Sequence, residues 1–293
     1  MGRAVFSRRI SAALTLTLAL ASCGGADDGA PLQVSFAARL GAAPFACGTV
    51  YQGVGTTAAS VLVEDFRMFI SNVRTLDAAG AEHPVKLVPD QKWQSESVAL
   101  LDFENATGPC GELGTPEMNT SIRGMSSAKA ISGLRFRLGV PESEAHQNVG
   151  LAKAPLNLGS MFWGWQAGYK FLRVDFRSMG TAPEAPGTQW LIHVGSTGCQ
   201  SAASTVAPTT TCARPNRAEV TLLGWEPSKT VVVDLSALLS TANVLMNTKA
   251  TAPGCMSDAN DPECQLVFAG LGLEPSTGQC AGACAGQRLF RAE

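Results

Sequence analysis

Beyond Ala30, apolar and polar residues alternate with period two along much of the chain. Leu32, Val34 and Phe36 alternate with Gln33, Ser35 and Ala37, and Leu134, Phe136 and Leu138 with Arg135 and Arg137. Phe66, Met68 and Ile70 stand opposite Arg67 and Phe69. A β-strand turns successive side chains to opposite faces, so each run predicts a half-buried strand. Strands are also expected over 85–88, 98–103, 170–176, 189–194, 218–223, 230–234 and 288–291. Helical patterning is confined to 236–245 and 262–271. About ten strands joined by turns such as Asp77-Ala-Ala-Gly80 indicate an all-β fold. The expected form is an antiparallel β-sandwich or barrel with long disulfide-stapled loops and short helices. Missing crossover helices exclude a parallel α/β fold. With no repeat and no clear linker, residues 32–293 read as a single β-rich domain.

The first residues follow a different pattern. Arg3, Arg8 and Arg9 precede an uncharged run from Ile10 to Ala21 that ends in Leu20-Ala21-Ser22-Cys23. A basic start, a short apolar run and small residues at its end make 1–22 an export signal. That run is too short for a bilayer of about 30 Å at about 1.5 Å per residue. Leu-Ala-Ser-Cys resembles the lipobox of bacterial lipoproteins, so Cys23 is expected to carry the lipid, with 23–31 as a lipidated tether of small and acidic residues. The alternative is an ordinary secretory signal that leaves Cys23 free. On either reading the chain is exported; with the anchor it sits on the periplasmic face, the outer membrane or the cell surface.

Composition narrows the function classes. The 45% apolar fraction suffices for a core, and the 30 glycines follow no fixed period, which excludes collagen-like and wholly disordered chains. Net charge is −2, and no basic cluster follows the leader, so the footprint of a nucleic-acid binder is missing. Nine cysteines are an odd number. Setting Cys23 aside leaves Cys47, Cys110, Cys199, Cys212, Cys255, Cys264, Cys280 and Cys284, and an oxidising compartment makes four disulfides the default. Eight cysteines allow about a hundred connectivities. Short loops make Cys199–Cys212, Cys255–Cys264 and Cys280–Cys284 the simplest pairs, leaving Cys47 for Cys110. Cys280-Ala-Gly-Ala-Cys284 also has a spacing that some copper carriers use, but its Gly- and Ala-rich surroundings favour a disulfide. No Cys-x-x-Cys-His occurs, so the chain lacks the usual covalent haem attachment site.

Few residues stand out for chemistry. His83 reads as an exposed loop residue before Pro84. His146 falls on a polar loop, and His193 on the strand Trp190-Leu-Ile-His193-Val, facing away from Trp190, Ile192 and Val194. Acidic pairs such as Glu64-Asp65 and Glu142/Glu144 read as solvated edges or loops. No nucleophile elbow, zinc-protease helix, phosphate loop or calcium loop appears, so the chain reads as a binding protein and not as an enzyme. The unusual segment is Met161-Phe-Trp163-Gly-Trp165-Gln-Ala-Gly-Tyr169-Lys-Phe171-Leu-Arg173. On a strand or ribbon, positions 163 and 165 share a face; the plain reading is an aromatic core cluster.

That segment, with Phe66-Arg-Met-Phe-Ile-Ser-Asn-Val73, Trp190-Leu-Ile-His193-Val-Gly-Ser-Thr-Gly-Cys199, Ala252-Pro-Gly-Cys255-Met256 and Asp261-Pro-Glu-Cys264, resembles the MbnP family, the four-Cys proteins of metallo-mystery pairs. The likeness covers most of the mature chain and is looser around His146. It implies a partner, a dihaem protein of the MauG/cytochrome c peroxidase type (MbnH), that oxidises one tryptophan to kynurenine, after which copper is bound. It raises His146 and His193 to expected copper ligands and names Trp163 and Trp165 as the candidates for oxidation, with Trp93 and Trp190 as outside possibilities. The role implied is copper acquisition or homeostasis. The competing reading is a metal-free, disulfide-stabilised surface lipoprotein that acts as an interaction module.

Overall fold

The computed structural model describes Met1, Gly2 and residues 29–179 and 188–293. Cys23, the expected export signal beyond Gly2 and most of the expected tether lie outside the described residues. Among those described, fourteen strands join one curled sheet, and the fold is all-β with short helices. Its axis is the 18-residue strand Ala59–Leu76. A strand this long changes partners along its edges, pairing antiparallel with Val50–Val54, Glu82–Leu87, Val98–Asp102, Gly133–Leu138 and Leu172–Met179. Register shifts near Ser71/Arg74, where Asn72 takes φ 52°, and near Asp175/Phe176 bend the ribbon so that it curls.

From the axis the sheet continues on one side through Leu172–Met179 and Thr188–Val194 to Gly254–Cys255. On the other it runs through Glu82–Leu87, Ser121–Ser126, Ala30–Leu40 and Val231–Asp234 to Phe290–Ala292. The expected antiparallel pairing has two exceptions. Ala30–Leu40 pairs parallel with Val231–Asp234, and Thr188–Val194 with Gly254–Cys255. Each pair is far apart in sequence, so a long excursion supplies the return that a parallel pair needs.

Inside the curl, Phe36, Met68, Phe136, Val174, Trp190 and Trp225 fill the main core. A second, smaller cluster of Phe69, Val98, Leu100, Met161, Tyr169 and Phe171 lies apart from it. Phe66, Met68 and Ile70 belong to the first cluster and Phe69 to the second. The strand is therefore buried on both faces over residues 65–71, not half-buried as its alternation suggests. Phe69 and Tyr169 meet edge to face at 5.8 Å, and Tyr169 Oη donates to the Leu156 carbonyl at 2.6 Å, which anchors the segment around Trp163 to the sheet.

The disulfides join Cys47 to Cys110, Cys199 to Cys212, Cys255 to Cys264 and Cys280 to Cys284, the pairing that short loops favour. Helix Pro262–Gly270 is capped by the Asp261 side chain, with Pro at its start. The helix expected over 236–245 shrinks to Leu235–Leu238. Past it, Ser240 Oγ donates to the Ala237 carbonyl and Asn243 Oδ1 accepts from the Leu245 N–H, local bonds that compete with helix continuation. His83 lies on the strand Glu82–Leu87, half-buried and 3.2 Å from Asp77 Oδ2, not on a loop.

Because Phe69 is the sheet's contribution to the second cluster, Phe69→Ala should lower unfolding free energy by about 3–5 kcal/mol. Urea denaturation checks this; a loss below about 1 kcal/mol would mean that the cluster relaxes around the gap.

Candidate metal centre

The centre begins with alternation on three neighbouring strands. In the antiparallel register Arg67 lies opposite Arg173, which lies opposite His193, and Asp65 lies opposite Asp175. One face of the sheet thus presents two carboxylates, two guanidiniums and an imidazole, while Phe66, Val174 and Ile192 on the other face enter the main core. All five polar residues are buried. Arg67 Nε donates to Asp65 Oδ1 at 2.8 Å. Arg173 Nε lies 3.2 Å from Asp65 Oδ2 and donates to Asp175 Oδ2 at 2.9 Å. The ladder is closed from above by Ser160, whose hydroxyl accepts from Arg67 at 3.1 Å and whose carbonyl accepts from Arg173 and Lys170, each at 3.0 Å. Burial, with the Arg173 charge beside it, brings the Lys170 ammonium down to about 8.

His193 ends this ladder. Its Nε2 is 2.5 Å from Asp175 Oδ1. Burial by itself would raise the Asp175 carboxyl, but hydrogen bonds from His193 and Arg173, reinforced by their charges, hold it down at about 2. A carboxylate only accepts, so Nε2 carries a proton, and in the uncharged form of the ring the lone pair falls on Nδ1. Nδ1 is buried and has no hydrogen-bond partner among the described residues. A carboxylate fixing one imidazole nitrogen while the other stands bare is the arrangement found around metal-ligating histidines.

Next to this ring stands Trp163, its centroid 6.4 Å from that of His193. The short strand Phe162–Gly164 pairs with Gly168–Tyr169 to form a hairpin. Trp163 lies on the strand and Trp165 on the turn, so the ribbon whose alternation would put them on one face ends between them. Neither belongs to a core cluster; both are half-buried. Trp163 lines an open cavity of about 320 Å³ with Gln166, Ser196, Cys199 and Met256. Gly195 makes its position possible, because a Cβ there would lie 2.5 Å from Trp163 Cζ3 and 2.6 Å from the Tyr169 carbonyl. Ser257 supports the same place, its hydroxyl donating to the His193 carbonyl and accepting from the Gly195 N–H, both at 2.9 Å.

His146, on a loop after the short turn Glu142–Glu144, has a different setting. Its Nδ1 is 3.1 Å from the Trp165 carbonyl and its Nε2 3.4 Å from Cys212 Sγ. Trp165 therefore meets His146 through its backbone, while Trp163 meets His193 through its ring. The disulfide links the two settings, since Cys199 borders the cavity and its partner Cys212 touches His146. Of the other tryptophans, Trp190 and Trp225 are fully buried, and Trp93 packs at the edge of the second cluster under Lys92.

The MbnP family model matches residues 29–257, well over half of the chain. The chain belongs to the MbnP family. It is similar to a solved structure, MbnP from Methylosinus trichosporium, at 29% identity and a TM-score of 0.76 over 90% of this chain and 98% of that one. No curated protein sequence matches it. Family membership suggests a methanobactin-related role in metal handling. The matched span of this MbnP chain holds the ladder, Trp163, Trp165, both site histidines and the Cys199–Cys212 disulfide, and it ends at Ser257, beside His193.

Asp65, Arg67, Arg173 and Asp175 escape sequence reading. The pair Glu64-Asp65, which reads as a solvated edge or loop, has Asp65 buried between Arg67 and Arg173. The available signal is the Asp-x-Arg and Arg-x-Asp spacing on two strands predicted to pack a core, but a wetted face has the same pattern.

Two outcomes follow from this geometry. Gly195→Ala should displace the indole, costing about 1–3 kcal/mol and shifting tryptophan fluorescence; unchanged emission and stability would count against the close packing. Asp175 has a depressed folded pKa, so its contribution is present above its unfolded value near 4 and is lost as pH falls toward about 2. Unfolding titrations from pH 5 to 2 should therefore show a loss of up to about 2 kcal/mol in the parent that is missing in Asp175→Asn.

Proposed function

We propose that this MbnP protein is an exported copper carrier, anchored through a lipid on Cys23, whose site is completed when a dihaem MauG-type partner oxidises Trp163 to kynurenine. The observation that carries the reading is the bare, buried Nδ1 of His193 beside the Trp163 ring. An indole nitrogen has its lone pair tied into the aromatic ring and is a poor ligand. Oxidative opening of the pyrrole adds two oxygen atoms and gives an N-formyl amide, and water then hydrolyses that amide, releasing formate and leaving an aniline-type amine. Imidazole and amine nitrogens suit copper, which heads the divalent affinity order.

Trp163 is preferred to Trp165 because its ring, and not its backbone, faces the imidazole and the open cavity. The cavity gives a partner protein access to an indole that is only half-buried. His146 supplies the further imidazole, and the Cys199–Cys212 disulfide joins its surroundings to the cavity. Asp175 acts on copper through His193 by keeping Nε2 protonated and Nδ1 free. The chain itself performs no turnover. Its part is to present the residue that is modified and to hold the cargo in copper acquisition or homeostasis. Because neutral imidazole is the ligating form, acid should release the metal.

The test is expression with and without the dihaem partner and peroxide, followed by peptide mass mapping and copper analysis. Kynurenine is expected at Trp163 alone, with one copper bound only in the modified chain and none in modified His193→Ala. In Asp175→Asn, copper affinity should fall about 10–100-fold. Modification at Trp165, or tight copper binding by the unmodified chain with its disulfides intact, sinks the reading.

A further inference from the structure

The Cys199–Cys212 disulfide differs from the other three in its neighbours. Cys255, Cys264 and Cys284 are built into the main core, with Cys280 packed against it. Cys47–Cys110 lies beside the Glu104 carboxylate, which repels an attacking thiolate. Cys199 and Cys212 are both buried, but Cys199 borders the open cavity and Cys212 faces an imidazole.

That imidazole is set in advance. The Trp165 carbonyl can only accept, so His146 Nδ1 carries the proton, and the Nε2 lone pair is directed at Cys212 Sγ 3.4 Å away. Gly168, at φ +77°, lets the hairpin backbone close on the ring, since a Cβ there would meet both the Ala145 carbonyl and the His146 ring. The imidazole nitrogen and both sulfurs lie within 4.8 Å of one another. Metal–sulfur bonds of about 2.3 Å and metal–nitrogen bonds of about 2.0 Å put donors about 3.5–4 Å apart. Opening the S–S bond and rotating the two side chains therefore brings one nitrogen and two sulfurs to ligand spacing.

We propose that reduction of Cys199–Cys212 by a dithiol creates a second metal site, built from His146 Nε2 and the two thiolates and suited to copper(I). A thiolate of the reductant attacks Cys199 Sγ from the cavity, the S–S bond breaks, and Cys212 leaves beside His146. The second thiol of the reductant then attacks the mixed disulfide and frees Cys199. The reductant ends as its own disulfide, two electrons having passed to the protein, and the two protons on Cys199 and Cys212 are released when the metal binds. One imidazole with two thiolates is a soft donor set that suits copper(I), with zinc as its competitor. The site shares His146 with the one proposed above but needs no kynurenine, so it is tested where kynurenine cannot form at Trp163.

The Trp163→Phe chain is treated with graded dithiothreitol, freed of it without oxygen, and divided. One portion is alkylated and peptide-mapped; the other is titrated with copper(I) against bathocuproine disulfonate. Cys199 and Cys212 are expected to be alkylated first, and one copper per chain to be gained at that step and not before. His146→Asn, which keeps both sulfurs, should weaken binding at least tenfold, and alkylating the opened pair should abolish it. Opening no earlier than the other three disulfides, equal copper uptake before and after reduction, or indifference to His146→Asn would each overturn the proposal.

Discussion

The centre depends on the hydrogen bond between His193 Nε2 and Asp175, and that bond depends on a row of buried charge. Asp175 is ionised in a buried place because His193 and then Arg173 donate hydrogen bonds to its carboxylate. Arg173 in turn is shared with Asp65, which Arg67 holds from the neighbouring strand. Removing a member takes a partner from a charge held inside the protein, which costs more than the loss of an exposed pair. Buried pairs are weak stabilisers when weighed against apolar side chains of similar volume. Their effect here is orientation: the ladder holds one imidazole in one tautomer.

The fold explains why such a ladder is tolerated. Its residues lie on the face of the axial strand and its neighbours that turns away from the main core, under a hairpin segment that brings hydrogen-bond partners. Ser160 accepts from Arg67, Arg173 and Lys170, and the Leu113 carbonyl accepts a further bond from Arg67. The apolar cluster around Phe69 and Tyr169 keeps the hairpin seated. The same hairpin carries Trp163, so one segment closes the charge ladder and delivers the aromatic ring to its end.

Much of this architecture was legible in the sequence, for identifiable reasons. Alternation at Leu32–Phe36 and Leu134–Leu138 marks strands because those strands pack one face on the core. The disulfides follow from short loops, and the Asp261-Pro262 start marks its helix through capping chemistry. Alternation cannot report what covers the second face. It therefore missed the double burial of residues 65–71 and the burial of Asp65, which depend on segments distant in sequence, among them those holding Leu100, Leu113 and Ser160. The placement of Trp163 and Trp165 turned on where a two-strand ribbon ends, which spacing does not reveal. Copper, kynurenine and the haem partner came from family resemblance and from no pattern in this chain alone.

On the proposed function, the arrangement separates two requirements that a metal site must usually satisfy together. Pre-set donors give affinity but also bind whatever metal arrives first, since affinity orders differ little among nitrogen sites. Here the imidazole is pre-set by Asp175 and the Trp163 ring is seated by Gly195 and Tyr169, yet the ring offers no usable lone pair until it is opened. Positioning is a property of the fold, while ligand capacity is conferred by a covalent step outside the chain's own chemistry. Selectivity then rests on when the site is completed as well as on what it is made of. On that reading a cavity lined by an indole, a thioether and a disulfide, close to a bare imidazole nitrogen, gains its full donor set only when the ring is opened.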